Sequence, residues 1–307
     1  MGLIYSNARH LLTAKKQGHD FGRVLTVGRQ EIYLHPNEYR RLALEFPNEA
    51  SALNALATTE LEYADEFLGT VLGAESISAI DLSDYQGADI VHDLNLPISA
   101  SLQESFDTVI DCGTLEHLFN TPVALRSLME ACRIGGYVFI ATMANNHCGH
   151  GFYQFSPEFF FRVFSEANGF EVDTVLLVEH PYPGAELSER QRCFQVKNPT
   201  EVGGRIPLVG SRPTMIQALA KRIRKADIFD PPPQQSDYET LWKNSVSNSV
   251  APPPLSQLRG KAWLRRVVGN SIRFVHSCLP STVKSVLQGR SQLREYSFRN
   301  RKFYRPW

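Results

Sequence analysis

The residues equipped for chemistry gather at the ends of short apolar runs. Asp81 closes the run 76–81, Asp93 closes 88–93 and Asp111 closes 106–111, with Gly113, Glu116 and His117 directly behind it. Three carboxylate-tipped runs are more than the solvation of loop ends requires. A carboxylate after one run can accept both hydroxyls of a ribose, and one after the next can accept from an exocyclic amino group. Aspartate also caps turns readily, and the sequence leaves both readings of Asp81 and Asp93 open. Imidazole is the side chain best suited to take a proton near neutral pH, which makes His117 and His150 the candidate bases and Glu116 an orienting carboxylate. The competing reading has Glu116–His117 opening a helix without moving a proton. His147, Cys148 and His150 are zinc-ligand types, yet three ligands within four residues do not readily reach one tetrahedral centre, and no CxxC or HxxxH completes the set. No metal is expected. Cys112 and Cys148 read as small buried hydrophobes.

Strands alternating with helices must position these groups. Runs at 24–28, 76–81, 88–93, 106–111 and 136–141 are short and rich in branched residues, as expected of strands covered on both faces. Further runs lie at 170–178 and 192–197. Helical patterns occupy 38–46, 61–72, 122–132 and about 157–168; the third has Asn120 or Thr121 as a cap and Pro122 at its first turn. The pattern predicts an α/β fold with a doubly wound, mostly parallel sheet. Ligands of such sheets sit beyond the carboxyl ends of the strands, where the strand order reverses. That rule selects Gly28, Asp81, Asp93, the segment Asp111 to His117, and the residues after Met143.

Several segments together resemble one family. Ile80-Asp81-Leu82 through His92-Asp93-Leu94-Asn95, Phe106 through Asp111-Cys112-Gly113-Thr114-Leu115-Glu116-His117-Leu118, and Arg133-Ile134-Gly135-Gly136-Tyr137 are similar to consecutive motifs of class I S-adenosylmethionine-dependent methyltransferases. With Asn145 through Pro157 added, the chain resembles a bacterial, type 11-like branch over residues 20–200. The resemblance implies a seven-stranded Rossmann-like sheet and S-adenosyl-L-methionine as cofactor. Its contacts would be Gly28, Asp81, Leu82, Asp93, Leu94, Asp111, Gly113 and Glu116, and the acceptor would be a small molecule or glycan. The aromatic segment 152–164 is a candidate acceptor lid, and also an ordinary helix burying Phe159, Phe160, Val163 and Phe164. DNA methyltransferases carry a different segment after the fourth strand from Asp111-Cys112-Gly113-Thr114. One departure stands out: Gln30 and Ile32 replace two loop glycines after the first strand, and Thr26 stands where a carboxylate is usual. A Cβ at those positions narrows the approach to the cofactor.

Composition sets the frame. The 307 residues carry no net charge and 43% are hydrophobic, enough for one substantial core. No run approaches the roughly 20 apolar residues of a membrane span, and residues 1–16 lack a secretory pattern. Five cysteines without CxxC spacing suit a reducing cytoplasm. The neutrality is a balance: residues 1–220 hold 15 Lys and Arg against 27 Asp and Glu, and residues 221–307 hold 17 against 5. The change falls near Pro231-Pro232-Pro233, and predicts a catalytic domain over 1–205 with a basic extension over 206–307. Lys221, Arg222, Arg265, Arg266 and Arg299 alternate there with Trp263, Phe298, Phe303, Tyr304 and Trp307. Such a tract can hold an anionic surface or dock onto the acidic domain; nucleic acid is the less favoured partner. A catalytically inactive module binding through this tail is the alternative to an enzyme.

Overall fold

The computed structural model describes residues 2–181, 191–238 and 297–307. Its centre is one sheet of nine strands among the described residues, two more than the seven expected. In chain order the strands are β1 (Arg23–Val27), β2 (Ser76–Asp81), β3 (Ile90–Val91), β4 (Phe106–Cys112), β5 (Cys132–Asn145), β6 (Phe170–Glu179), β7 (Arg192–Val196), β8 (Thr214–Arg222) and β9 (Tyr304–Pro306). Across the sheet they run β3-β2-β1-β4-β5-β8-β6-β7-β9. The first five are mutually parallel. This is the dinucleotide-type order 3-2-1-4-5-6 with β8 inserted antiparallel between β5 and β6. β7 and β9 extend the far edge antiparallel. The order reverses between β1 and β4, so the crevice of a wound sheet must open above their carboxyl ends.

Helices cover both faces. α1 (Tyr5–Lys16), α2 (Pro36–Glu45), α3 (Ala50–Leu56) and a π-helical turn at Phe67–Leu72 pack on one side, burying Leu11, Leu42, Leu53 and Phe67 against Ile110, Phe139 and Leu219. α4 (Thr121–Ala131) and α5 (Pro157–Val163) cover the other, burying Leu125, Leu128 and Phe160 against Val109, Val138 and Ile216. α2 begins in a capping box between His35 and Glu38 with Pro36 at its first turn. α5 begins at Ser156, whose Oγ accepts from Phe159 N at 3.4 Å.

The boundary expected at residue 205 falls inside the sheet. β8 lies beyond it and pairs on both sides, so the sheet is incomplete without residues 214–222. Arg222, expected in a basic surface tract, is buried; its guanidinium donates to the carbonyls of Met129, Glu130 and Cys132 and pairs with Glu104. Phe298, Phe303 and Tyr304 belong to the core, Phe298 stacking on Phe194 with ring centres 4.1 Å apart. Trp307 lies under Arg9 and beside His10. Trp263, Arg265 and Arg266 lie outside the described residues. Among the described residues no helix is long and apolar enough to cross a membrane.

Candidate functional site

The loop after β1 meets the ends of β2 and β4 at Gly28. Its φ of 68° is left-handed, its N–H donates to Ile80 O at 2.7 Å, and a Cβ there would stand 3.6 Å from Asp81 Oδ2 and 3.8 Å from Thr114 Oγ1. Thr114 Oγ1 in turn donates to Val27 O at 3.0 Å and ties the two loops together. Asp81 is half-buried; Oδ1 accepts from Leu82 N at 2.6 Å, while Oδ2 has no donor among the described residues and faces Gly28. A strand-end carboxylate with one oxygen open to the crevice is what a ribose diol requires.

The two residues in place of loop glycines turn away from this opening. The buried Gln30 side chain folds back under its own loop, Nε2 donating to Val27 O at 2.5 Å and Gly28 O at 3.3 Å. Ile32 is buried in the helix-side core with Leu3 and Tyr39. The narrowing expected from two extra Cβ atoms is thus offset by the direction of both side chains.

The other candidates divide. Asp93 Oδ1 accepts from the backbone and side-chain nitrogens of Asn95, at 2.9 and 2.8 Å, and these bonds hold its carboxyl below the usual range. It therefore serves as a turn cap, and its second oxygen accepts no hydrogen bond among the described residues. Leu82 is exposed, but Leu94 is buried in the core and can offer a ligand only its backbone. Asp111 is fully buried, Oδ1 accepting from Thr114 N at 2.8 Å and Oδ2 from Leu115 N at 3.0 Å. Burial and the adjacent Glu116 charge push its carboxyl up to about 7. Both oxygens are committed, so Asp111 shapes the loop that Gly113, at φ 105°, completes.

Glu116 and His117 lie in a 3₁₀ turn (Leu115–His117) after β4, and His150 in the loop after β5. Glu116 is fully buried; Thr142 Oγ1 on β5 donates to Oε2 at 2.6 Å, and His150 Nε2 stands 3.5 Å from Oε1. The His117 and His150 rings are 5.2 Å apart. The carboxylate thus faces His150 at ion-pair distance without a hydrogen bond, a pairing hidden in the sequence. Gly151 is required here, since a Cβ would come 2.8 Å from Glu116 O. Tyr153 donates to Phe119 O at 2.9 Å.

Exposed apolar side chains mark the same edge. Leu82 and Tyr85 follow β2, Leu96 follows β3, Phe119 follows β4 and Phe152 follows β5, all more than half exposed. Sequence reasoning singled out Leu82 and the aromatic segment, but not Tyr85, Leu96 or Phe119, whose signal appears only once the strand ends are known. The proposed lid shrinks to its first member: Phe155, Phe160 and Phe164 are core, and Phe152 alone of the phenylalanines in 152–164 lies at the rim. A separate apolar cavity of about 640 Å³ opens between α4, α5 and residues 229–235, walled by Pro122, Phe159, Phe229 and Pro232. Ser236 closes that wall by donating from N and Oγ to Glu158, at 2.7 and 3.0 Å.

No family model matches the chain, and no curated protein does. Solved structures do. Among them are the 1,6-didemethyltoxoflavin N1-methyltransferase of Burkholderia thailandensis with S-adenosylhomocysteine bound (14% identity, 71% of this chain and 78% of that one, TM-score 0.35) and a SAM-dependent methyltransferase of Thermotoga maritima (15%, 72% and 91%, 0.33). The YcgJ protein of Bacillus subtilis is a third (12%, 69% and 98%, 0.36). At such identities and scores the likeness carries no argument about activity, and the fold rests on the sheet's own topology.

Proposed function

We propose that the chain is an S-adenosylmethionine-dependent methyltransferase acting on a small-molecule or glycan-type acceptor in the cytoplasm. One observation supports the reading: at the point where strand order reverses, Gly28 lies against Asp81 Oδ2, which accepts no hydrogen bond among the described residues, while the side chains of Gln30 and Ile32 are buried away from them. S-adenosylmethionine supplies a methyl group already activated on a sulfonium, so the protein's share is orientation and proton removal. Asp81 receives the ribose hydroxyls, and the free oxygen of Asp93 and exposed Leu82 flank the base. Gly28 and Gly113 let the backbone approach. On the acceptor side His150, next to the Glu116 carboxylate, takes the hydroxyl or amine proton, with His117 beside it. Phe119 and Phe152, 6.0 Å apart edge to face, form the acceptor's apolar wall.

Isothermal titration with S-adenosylmethionine and S-adenosylhomocysteine tests the reading. Both are expected to bind, and silence at millimolar concentration would remove it. That second outcome would favour an inactive module binding an anionic partner through residues 221–307. The burial of Arg222, Phe298 and Tyr304 in the fold weighs against that alternative.

A further inference from the structure

Three side chains of metal-binding type converge above β4 and β5. The ligand atoms of Glu116, His117 and His150 all lie within 4.8 Å of one another. Their environment is asymmetric. Thr142 holds Glu116 Oε2 at 2.6 Å, while among the described residues Oε1 has no hydrogen-bond partner and faces His150 Nε2, equally without one, at 3.5 Å. The carboxylate side chain is 0% exposed, that of His150 33%. Among the described residues no lysine or arginine pairs with Glu116. A wholly buried carboxylate with a bare oxygen and no fixed cation is costly, unless a positive charge enters beside it.

We propose that Glu116 Oε1, His117 and His150 bind one borderline divalent cation, Zn²⁺ or a neighbouring first-row ion. Bonds of about 2.1 Å to such an ion set adjacent ligand atoms roughly 3.0–3.5 Å apart. The Glu116–His150 edge already has that spacing, and His117, exposed at the rim, closes the remainder by side-chain rotation. The Thr142 hydroxyl is the outer partner that fixes a ligating carboxylate, leaving the other oxygen for the ion. Two imidazoles and one carboxylate favour Zn²⁺, Co²⁺ or Fe²⁺ over Mg²⁺ and Ca²⁺, which prefer oxygen alone. Three protein ligands leave a position open toward Phe119 and Phe152, where an acceptor oxygen can coordinate. His147 and Cys148, the neighbours that first suggest a metal, take no part.

The site does not depend on the cofactor crevice. Its catalytic consequence does rest on the methyltransferase reading: with an ion on His150 Nε2, the acceptor proton is acidified by the ion instead of being taken by the imidazole.

The test uses the full, untagged chain stripped of metal by a chelator, with no cofactor present. Titration with Co²⁺ is expected to give visible d–d absorption saturating at one equivalent, displaced by Zn²⁺ and unaffected by millimolar Mg²⁺. Glu116→Gln, His117→Gln and His150→Asn should each weaken Co²⁺ binding about tenfold or more, whereas His147→Gln and Cys148→Ser leave it within about twofold. Should Glu116→Gln fail to fold, the two histidine variants decide. Absence of stoichiometric Co²⁺ binding, or affinity unchanged in the histidine variants, overturns the proposal. Failure to bind S-adenosylmethionine leaves it standing, which separates the two claims.

Discussion

Two polar clusters in this molecule are built around imidazole, and they have opposite finishes. Between α1 and the middle of β8, His10 Nδ1 meets Gln217 Oε1 at 3.0 Å, and Gln217 Nε2 donates to Ser6 Oγ at 2.9 Å and Asn7 Oδ1 at 2.7 Å. All four residues are buried. Since the glutamine amide nitrogen is spent on Ser6 and Asn7, its oxygen must accept, which assigns a proton to Nδ1, while burial favours the neutral ring. Phe139 and Trp307 enclose the ring. At the rim, Glu116, His117 and His150 share the same chemistry but leave Glu116 Oε1 bare and one imidazole in solvent. A buried network closed off from solvent, even with His10 Nε2 unpaired among the described residues, rigidifies a fold; one left open at an exposed edge is available to a ligand. The difference separates a structural histidine from a functional one, which residue type alone cannot do.

The largest expected effect breaks the closed cluster. Gln217→Leu strands His10, Ser6 and Asn7 at once and should lower unfolding free energy by about 3 kcal/mol, read by urea denaturation, while cofactor affinity stays within twofold. A loss below about 1 kcal/mol would mean the network does not anchor α1. Acid should act on the same place. Burial lowers the His10 pKa from 6.5 to about 4, so the native state favours the neutral ring. That contribution is complete above pH 6.5 and is lost as the pH falls through 6.5 toward 4, where it amounts to about 3 kcal/mol. His10→Gln should flatten the stability profile over that window; an equally steep profile would assign the acid loss elsewhere.

The sheet was legible because its parallel strands are buried on both faces and read as apolar runs ending in aspartate. β8 was not. Thr214–Arg222 carries Gln217 at its centre, alanines around it and Lys221-Arg222 at its end, so its composition reads as the start of a basic extension. Only the pairing with β5 and β6 and the desolvated amide network explain those residues. α1 was missed for a related reason, since its buried face includes Ser6, Asn7 and His10. At the site, Asp81 and Gly28 could be named from the strand-end rule. Leu94 and Asp111 could be named as well, but not their burial, because periodicity places a residue near a loop without saying which way it points. The partnership of Glu116 with His150 required the crossover from β4 through α4 to β5, which brings two separate loops together.

The next effect concerns the open edge. Asp81→Ala should weaken S-adenosylmethionine binding by about 1–3 kcal/mol through the lost charge-assisted contact to the ribose, with thermal stability little changed because the one protein bond lost among the described residues, from Leu82 N to Oδ1, is exposed and open to replacement by water. Unchanged affinity by titration would take Asp81 out of the site.

The smallest effect sharpens the comparison most, because one substitution is made in both clusters. His10→Gln exchanges a buried ring for a smaller amide among Phe139 and Trp307, and should cost about 1–2 kcal/mol at pH 7 through lost packing, even if the bond to Gln217 survives. His117→Gln removes an exposed ring whose side chain makes no hydrogen bond among the described residues, and should change stability by less than about 0.5 kcal/mol. Its consequence belongs in acceptor turnover. Cofactor affinity should hold, since His117 follows β4 with its ring beside His150, whereas Asp81 closes β2. If His117→Gln instead unfolded the protein as readily as His10→Gln, the rim cluster would be as structural as the buried one, and the distinction between closed and open networks would not hold for this fold.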